Sequence, residues 1–129
     1  MRSDAFRAAA EAKDFSLVDE LFSEDAIFRS PVVYRPYQGR EAIKVVLGAV
    51  VRVFEDFRYT AQLESGDTAV LMFEARIGER ELQGVDILRF DSEGRAFELT
   101  VMVRPMSGMR ALAERMKELL EATGAPPAN

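Results

Sequence analysis

Between residues 57 and 104, apolar side chains recur at every second position rather than every third or fourth. The alternation runs through four segments, at 57–64, 71–77, 82–90 and 96–104, and turns of two to four residues containing Gly66, Gly78 and Gly94 separate them. A period of two places successive side chains on opposite faces of a strand. Connections this short join only antiparallel neighbours. The second half of the chain is therefore predicted to form a four-stranded antiparallel meander.

Helices are predicted on both sides of this meander in the sequence. A stripe follows Gly39 at the spacing of one helix face, formed by Ile43, Val46, Leu47, Val50 and Phe54. Two shorter helices are predicted before it, over 3–13 and over 16–22, and Ser3 or Asp4 can cap the first of them. A last helix is predicted from Ser107 to before Gly124. A short strand is predicted at 26–30. Helices segregated from antiparallel strands indicate an α+β fold, in one domain over residues 1–123 followed by a flexible tail at 124–129.

The composition excludes several kinds of chemistry. The 129 residues contain no Cys and no His, so thiol nucleophiles, disulfides, Ser-His-Asp relays and zinc sites built on Cys or His are absent. Carboxylates, Tyr, Lys and water remain for proton transfer. The net charge of −5 disfavours nucleic acid and anionic membranes as partners. No apolar segment reaches the ~20 residues that span a bilayer, and the protein is expected to be cytoplasmic.

Three stretches carry a resemblance to a known family. They are residues 13–26, residues 36–43 with the sequence Pro-Tyr-Gln-Gly-Arg-Glu-Ala-Ile, and residues 84–95, from Gly-Val-Asp-Ile-Leu-Arg-Phe to Asp-Ser-Glu-Gly-Arg. In this order they resemble the nuclear transport factor 2-like superfamily, which includes ketosteroid isomerases and SnoaL-like polyketide cyclases. The resemblance implies a curved sheet wrapped around the helices as a cone, with a mainly apolar pocket at its open end. It does not fix the function, because this fold hosts enzymes, carriers and association modules.

Asp86 is the leading candidate for a catalytic residue. It shares one face of its strand with Leu82, Gly84, Leu88 and Phe90, and an ionised carboxyl on such an apolar row is costly without a partner. The resemblance implies that it faces the pocket, because ketosteroid isomerases place at the matching position an Asp that donates a hydrogen bond to an oxyanion. The alternative is a buried Asp with a purely structural role.

The other groups that the resemblance would require are missing. The general-base Asp and the oxyanion-hole Tyr of the ketosteroid isomerases match Ser30 and Phe6 here, and neither replacement can do that chemistry. Steroid isomerisation by that mechanism is therefore not expected. Ser30 is predicted to be a hydrogen-bond partner of Asp86 or of a ligand, or else an ordinary hydroxyl at a strand end.

Further residues are predicted to line the pocket. Tyr34 and Tyr37 lie in a loop between two prolines that is expected to border the entrance, and Tyr59 belongs to the interior row of its strand. The remaining candidates are apolar residues on interior rows of the meander: Phe73, Leu88, Leu99 and Val101. Each could equally be a packing residue of the core.

Two hypotheses about function remain open. In the first, the chain is a homodimer that binds a small, largely apolar molecule, with cofactor-free and metal-free acid/base turnover at Asp86 as a possible activity. In the second, it is an association module with a filled pocket. Both use the outer face of the sheet, with Met72 and Met102, as the dimer surface. An open cavity that reaches Asp86 favours the first hypothesis.

Overall fold

The structure is a computed structural model that describes residues 1–123. The predicted tail at 124–129 lies outside the described residues. In chain order the elements are α1 (Asp4–Glu11), α2 (Val18–Leu21), β1 (Phe22–Arg29), β2 (Tyr37–Gln38), α3 (Arg40–Val53), β3 (Glu55–Ser65), β4 (Thr68–Ile77), β5 (Arg80–Phe90), β6 (Ala96–Arg104) and α4 (Met106–Thr123).

All six strands form one sheet, in the order β2-β1-β6-β5-β4-β3. The predicted meander is confirmed, because β3 to β6 pair antiparallel in sequence order. The alternation does not reveal that β1 pairs parallel to β6, with Phe28 opposite Leu99, or that Tyr37 and Gln38 form the short edge strand β2. The sheet curves around the helices, and the α+β class is confirmed.

The helices pack on the concave face of the sheet. The buried side of α3 contains the predicted Ile43, Val46 and Leu47, and α4 contributes Leu112, Met116 and Leu120. Burying a large apolar side chain contributes about 1.5–3 kcal/mol, so this shared core holds the helices against the sheet. It also determines which part of the interior is filled and which part remains open.

Two of the register shifts in the sheet are β-bulges, at Thr60 in β3 and at Phe97 in β6, that change which face a side chain presents. Tyr59 pairs with Phe73 while Ala61 pairs with Met72, so Thr60 is an extra residue in β3. Beyond it the alternation reverses, and Leu63, which strict alternation from Tyr59 would point inward, is exposed. Phe97 is a similar extra residue in β6, and its ring lies under the Arg89 guanidinium at 5.1 Å instead of joining the interior row of Leu99.

The first bulge also explains how α1 begins. The side chain of Ser3 does not cap the helix as predicted. Glu64 caps it instead, because the reversed alternation points the Glu64 side chain toward the helix. Its Oε2 accepts hydrogen bonds from the Ser3 N–H at 2.9 Å and the Ser3 hydroxyl at 2.6 Å. Burial raises the pKa of Glu64, but the hydrogen bonds from Ser3 and Arg2 outweigh burial and hold the pKa below its usual value. A carboxylate at a helix N-terminus is favourable.

No helix within residues 1–123 is long and apolar enough to cross a membrane.

Candidate active site

A cavity of about 430 Å³ lies between the concave face of the sheet and the helices. Its walls are mostly apolar, and eight aromatic side chains contribute to them: Phe6, Phe15, Phe28, Tyr37, Phe54, Phe57, Tyr59 and Phe73. A space of this size and character is typical of sites for small molecules, which usually occupy about 300–1,000 Å³.

Asp86 lies in the wall of this cavity. It is 6% exposed and is the one buried carboxyl among the described residues. Its Oδ2 accepts a hydrogen bond of 2.8 Å from the Tyr59 hydroxyl. Tyr59 reaches it diagonally across β4, because Tyr59 pairs with Phe73, Phe73 pairs with Gly84, and Asp86 follows Gly84 by two residues on the same face.

The second carboxyl oxygen of Asp86, Oδ1, has no hydrogen-bond partner within residues 1–123. Tyr59 is the one hydrogen-bond partner of this carboxyl within residues 1–123, and no fully buried side-chain polar atom in that part of the chain lacks a partner. Oδ1 is therefore not fully buried, and Asp86 belongs to the lining of the cavity. A ligand can exchange a hydrogen bond or a proton with this oxygen without breaking the bond to Tyr59.

Burial raises the pKa of Asp86 to about 7, while the hydrogen bond from Tyr59 opposes this rise. For Tyr59, burial, the nearby Asp86 charge and that hydrogen bond all raise the pKa, so its phenol keeps its proton. A carboxyl with a pKa near 7 occurs in both protonation states at neutral pH, which suits a group that gives and takes protons. Tyr59 acts as a fixed donor that orients it.

Three aromatic rings form the wall beside this pair. Phe57 contacts Tyr59 edge-on, with ring centroids 4.9 Å apart, and lies 5.1 Å from Phe73. Phe54 lies 5.6 Å from both Phe57 and Phe73. Such pairs contribute about 0.5–1.5 kcal/mol each beyond their area burial. The wall is therefore stiff, and it holds the Tyr59 ring in position for the hydrogen bond.

The opposite side of the cavity is formed by α4 and by the loop after β1. Lys117 and Glu121 on α4 and Pro31 to Val33 in the loop belong to the lining, and both charged residues are exposed. The charged side chains of the cavity therefore fall in two places. Asp86 is buried in its wall, and Lys117 and Glu121 line it from exposed positions on α4.

Five of the predicted pocket residues line the cavity with Asp86: Ser30, Tyr37, Tyr59, Phe73 and Val101. Ser30, however, is not the partner of Asp86. Its hydroxyl accepts hydrogen bonds from the backbone N–H groups of Val32 and Val33, both at 3.2 Å. It therefore has the ordinary role of a hydroxyl at a strand end, while its side chain borders the cavity. Tyr59 takes the place beside Asp86.

Three other residues predicted to line the pocket lie outside the lining of the cavity. Tyr34 is 99% exposed and lies outside the lining, because its loop turns it toward solvent. Leu88 and Leu99 pair with each other across β5 and β6 and are fully buried. They lie on the same interior rows as Asp86 and Val101, in the part of the cone that side chains fill completely. The predicted interior direction of both leucines is therefore correct, but the cavity does not extend as far as them.

The cavity residues contributed by α4 and Phe57 were not predicted. Leu112, Met116 and Leu120 lie at the spacing of one helix face and line the cavity, but this spacing alone does not indicate which surface the helix covers. Within residues 1–123 no group of three or more Asp and Glu is placed to hold a metal ion.

The family model described as a SnoaL-like domain matches residues 4–99. The chain belongs to this family. The matched range extends from α1 into β6 and includes Tyr59 and Asp86. Its fold is that of the nuclear transport factor 2-like superfamily, so the predicted resemblance is confirmed. No curated protein matches the sequence.

Solved structures place this SnoaL-like chain among bacterial relatives. A structure described as a steroid delta-isomerase from Pseudomonas aeruginosa is 43% identical, with a TM-score of 0.91, over 97% of this chain and 93% of that one. An uncharacterized protein with a cystatin-like fold from Silicibacter pomeroyi is 30% identical, with a TM-score of 0.85, over 89% and 82%. A protein of unknown function from Mesorhizobium loti is 19% identical, with a TM-score of 0.72, over 81% and 88%, which shows the fold alone.

Proposed function

We propose that this SnoaL-like protein binds a small, largely apolar molecule in the cavity and that Asp86 transfers protons to and from it. One observation carries the proposal: an open apolar cavity reaches a single buried carboxyl whose second oxygen is free. The family supports a small-molecule site of the isomerase or cyclase type. The relative described as a steroid delta-isomerase agrees with an apolar ligand.

The inventory of groups favours a reaction in which one carboxyl both removes and returns a proton. In its ionised form, Asp86 takes a proton from the ligand, and Tyr59 stabilises the carboxylate. The resulting carboxylic acid then gives the proton to another atom of the same ligand. Atoms and charge balance without a second reactant, so an isomerisation or cyclisation fits better than a hydrolysis, which needs a positioned water as well.

Ser30 and Phe6, at the positions that match the base and the oxyanion-hole Tyr of the ketosteroid isomerases, support a catalytic arrangement that differs from that of those enzymes. Ser30 and Phe6 both line the cavity, but the Ser30 hydroxyl is occupied by backbone N–H groups and Phe6 has no polar atom. The proposed chemistry therefore depends on the Tyr59–Asp86 pair rather than on the two missing groups.

The alternative, an association module with a filled pocket, does not require a cavity, and a cavity of about 430 Å³ argues against the filled pocket. The association itself is compatible with the first proposal. Met72 and Met102 flank Val85 in register on the outer face of the sheet, and they are 48% and 55% exposed. We propose that this face forms a homodimer while the cavity binds the ligand.

Native mass spectrometry of the purified protein tests the proposal, with Asp86→Asn as the comparison. The expected result is a retained molecule of small mass, whose conversion is then followed by chromatography. Conversion by the wild type but not by Asp86→Asn supports acid/base turnover. Equal conversion by both proteins rejects the role of Asp86. Binding without any conversion indicates a carrier rather than an enzyme.

A further inference from the structure

Gly84 lies in the middle of β5, opposite Phe73 on β4 and Val103 on β6. Its φ lies outside the left-handed region, unlike Gly66, Gly78 and Gly94 in the turns. The backbone there can accept any residue, and glycine inside a strand weakens it. The reason for a glycine must therefore be space.

The space above Gly84 is taken by the ring of Phe73. A Cβ atom built on Gly84 would come closer than 3.0 Å to three carbons of that ring, an overlap that side chains do not tolerate. An aromatic ring lying over a cross-strand glycine is a known way to compensate for the missing side chain. In this molecule the same ring is also part of the cavity wall.

Phe73 connects this contact to the site. Its ring is 6.4 Å from that of Tyr59 and approaches it edge-on, and Phe54 and Phe57 pack on it at 5.6 and 5.1 Å. Those two rings and the sheet limit its movement, so a ring lifted from Gly84 would enter the open space beside Asp86. The depth of the cavity at the carboxyl thus depends on the absence of a side chain at position 84.

We propose that Gly84 is a specificity-determining residue: by letting the Phe73 ring lie against the sheet, it keeps open the deep end of the cavity and so sets the size of molecule that reaches Asp86. The effect of Gly84 on ligand size rests on the proposed function, whereas its effect on the surroundings of the Asp86 carboxyl does not. Gly84 itself touches no reacting atom.

The test compares Gly84→Ala, Phe73→Leu and the double variant with the wild type. Ala69→Val is the matched control, because it adds volume to the same interior face of β4, where Ala69 is fully buried opposite Leu88. The first readout is the titration midpoint of the Asp86 carboxyl, followed by carbon-13 NMR. The second is the affinity for 2-naphthol, a two-ring probe.

Gly84→Ala is expected to raise the midpoint by about half a pH unit or more, because the displaced ring removes water from Asp86 and disturbs its bond to Tyr59. Affinity for 2-naphthol should fall about tenfold or more. In the Phe73→Leu background the same substitution should change neither value. Ala69→Val should lower stability without moving the midpoint.

A midpoint that is unchanged in Gly84→Ala, or that moves equally in the Phe73→Leu background or in Ala69→Val, overturns the inference. If Gly84→Ala does not fold, Phe73→Leu decides, since losing the ring should admit water and lower the midpoint, and an unchanged value counts against the inference. A wild type that does not bind 2-naphthol speaks against the proposed function, and the titration still tests the role of Gly84.

Discussion

Tyr59 on β3 and Asp86 on β5 are joined by a hydrogen bond of 2.8 Å that crosses the intervening strand β4. The two residues are 27 positions apart in the sequence, and the bond forms at the wall of an apolar cavity. It lets a buried carboxyl keep one fixed partner and leave its other oxygen available. The protonation of Asp86 should therefore depend on burial and on this one hydrogen bond.

Asp86→Asn should change how stability depends on pH. Because burial raises the pKa of Asp86 from 3.8 to about 7, the folded protein holds a proton that the unfolded chain releases between these values. The Asp86 contribution is thus fully present below pH 3.8 and declines up to about pH 7, by as much as about 4 kcal/mol. In urea unfolding, the variant should gain stability relative to the wild type as the pH rises across this window. A difference independent of pH would contradict the raised pKa.

Tyr59→Phe should raise the titration midpoint of Asp86 above that of the wild type. The hydrogen bond from Tyr59 favours the ionised carboxyl, so removing it while burial persists shifts the midpoint upward, by roughly one unit. Carbon-13 NMR of the carboxyl measures this directly. Tyr37→Phe is the control, because this second cavity phenol has no hydrogen bond to Asp86. A midpoint that falls in Tyr59→Phe would show that the phenol does not stabilise the carboxylate.

Glu64→Gln should destabilise the protein through the start of α1. The carboxylate receives two hydrogen bonds from Ser3 and one from Arg2, and replacing a charged acceptor costs about 1–2 kcal/mol. Urea unfolding measures the loss. Glu79→Gln, in the exposed turn between β4 and β5, is the control, and equal stabilities of the two variants would reject the capping role.

Met102→Glu should convert the proposed homodimer into a monomer. A buried, unpaired carboxylate at the centre of the outer face would cost more than an interface of this kind can offset. Sedimentation velocity measures the mass. Leu17→Glu, at an exposed apolar residue away from the sheet, should leave the dimer intact. A wild type that sediments as a monomer would exclude this surface.

The sequence predicts the strands well because their alternation is a local property. It places Asp86 on an interior face for the same reason. The two bulges leave no such trace, because one extra residue at Thr60 or Phe97 does not change the composition of a strand. Strict alternation through β3 and β6 would therefore place Leu63 and Phe97 on the interior face, which the bulges prevent.

The Tyr59–Asp86 bond depends on the register of three strands, and the parallel pairing of β1 with β6 depends on contacts far apart in sequence. Neither can be inferred from periodicity. The same applies to Leu88 and Leu99, whose interior direction was predicted correctly. Whether an interior residue lines open space or filled core is decided by how the helices pack above it.

The pH titration of the Asp86 carboxyl by carbon-13 NMR, without and with saturating 2-naphthol, tests most directly whether this carboxyl is the working group of the cavity. We expect a midpoint near 7 in the free protein and a displaced midpoint when the cavity is occupied. A midpoint below about 5, close to that of an ordinary carboxyl, or one that saturating probe leaves unchanged, would contradict this role of Asp86.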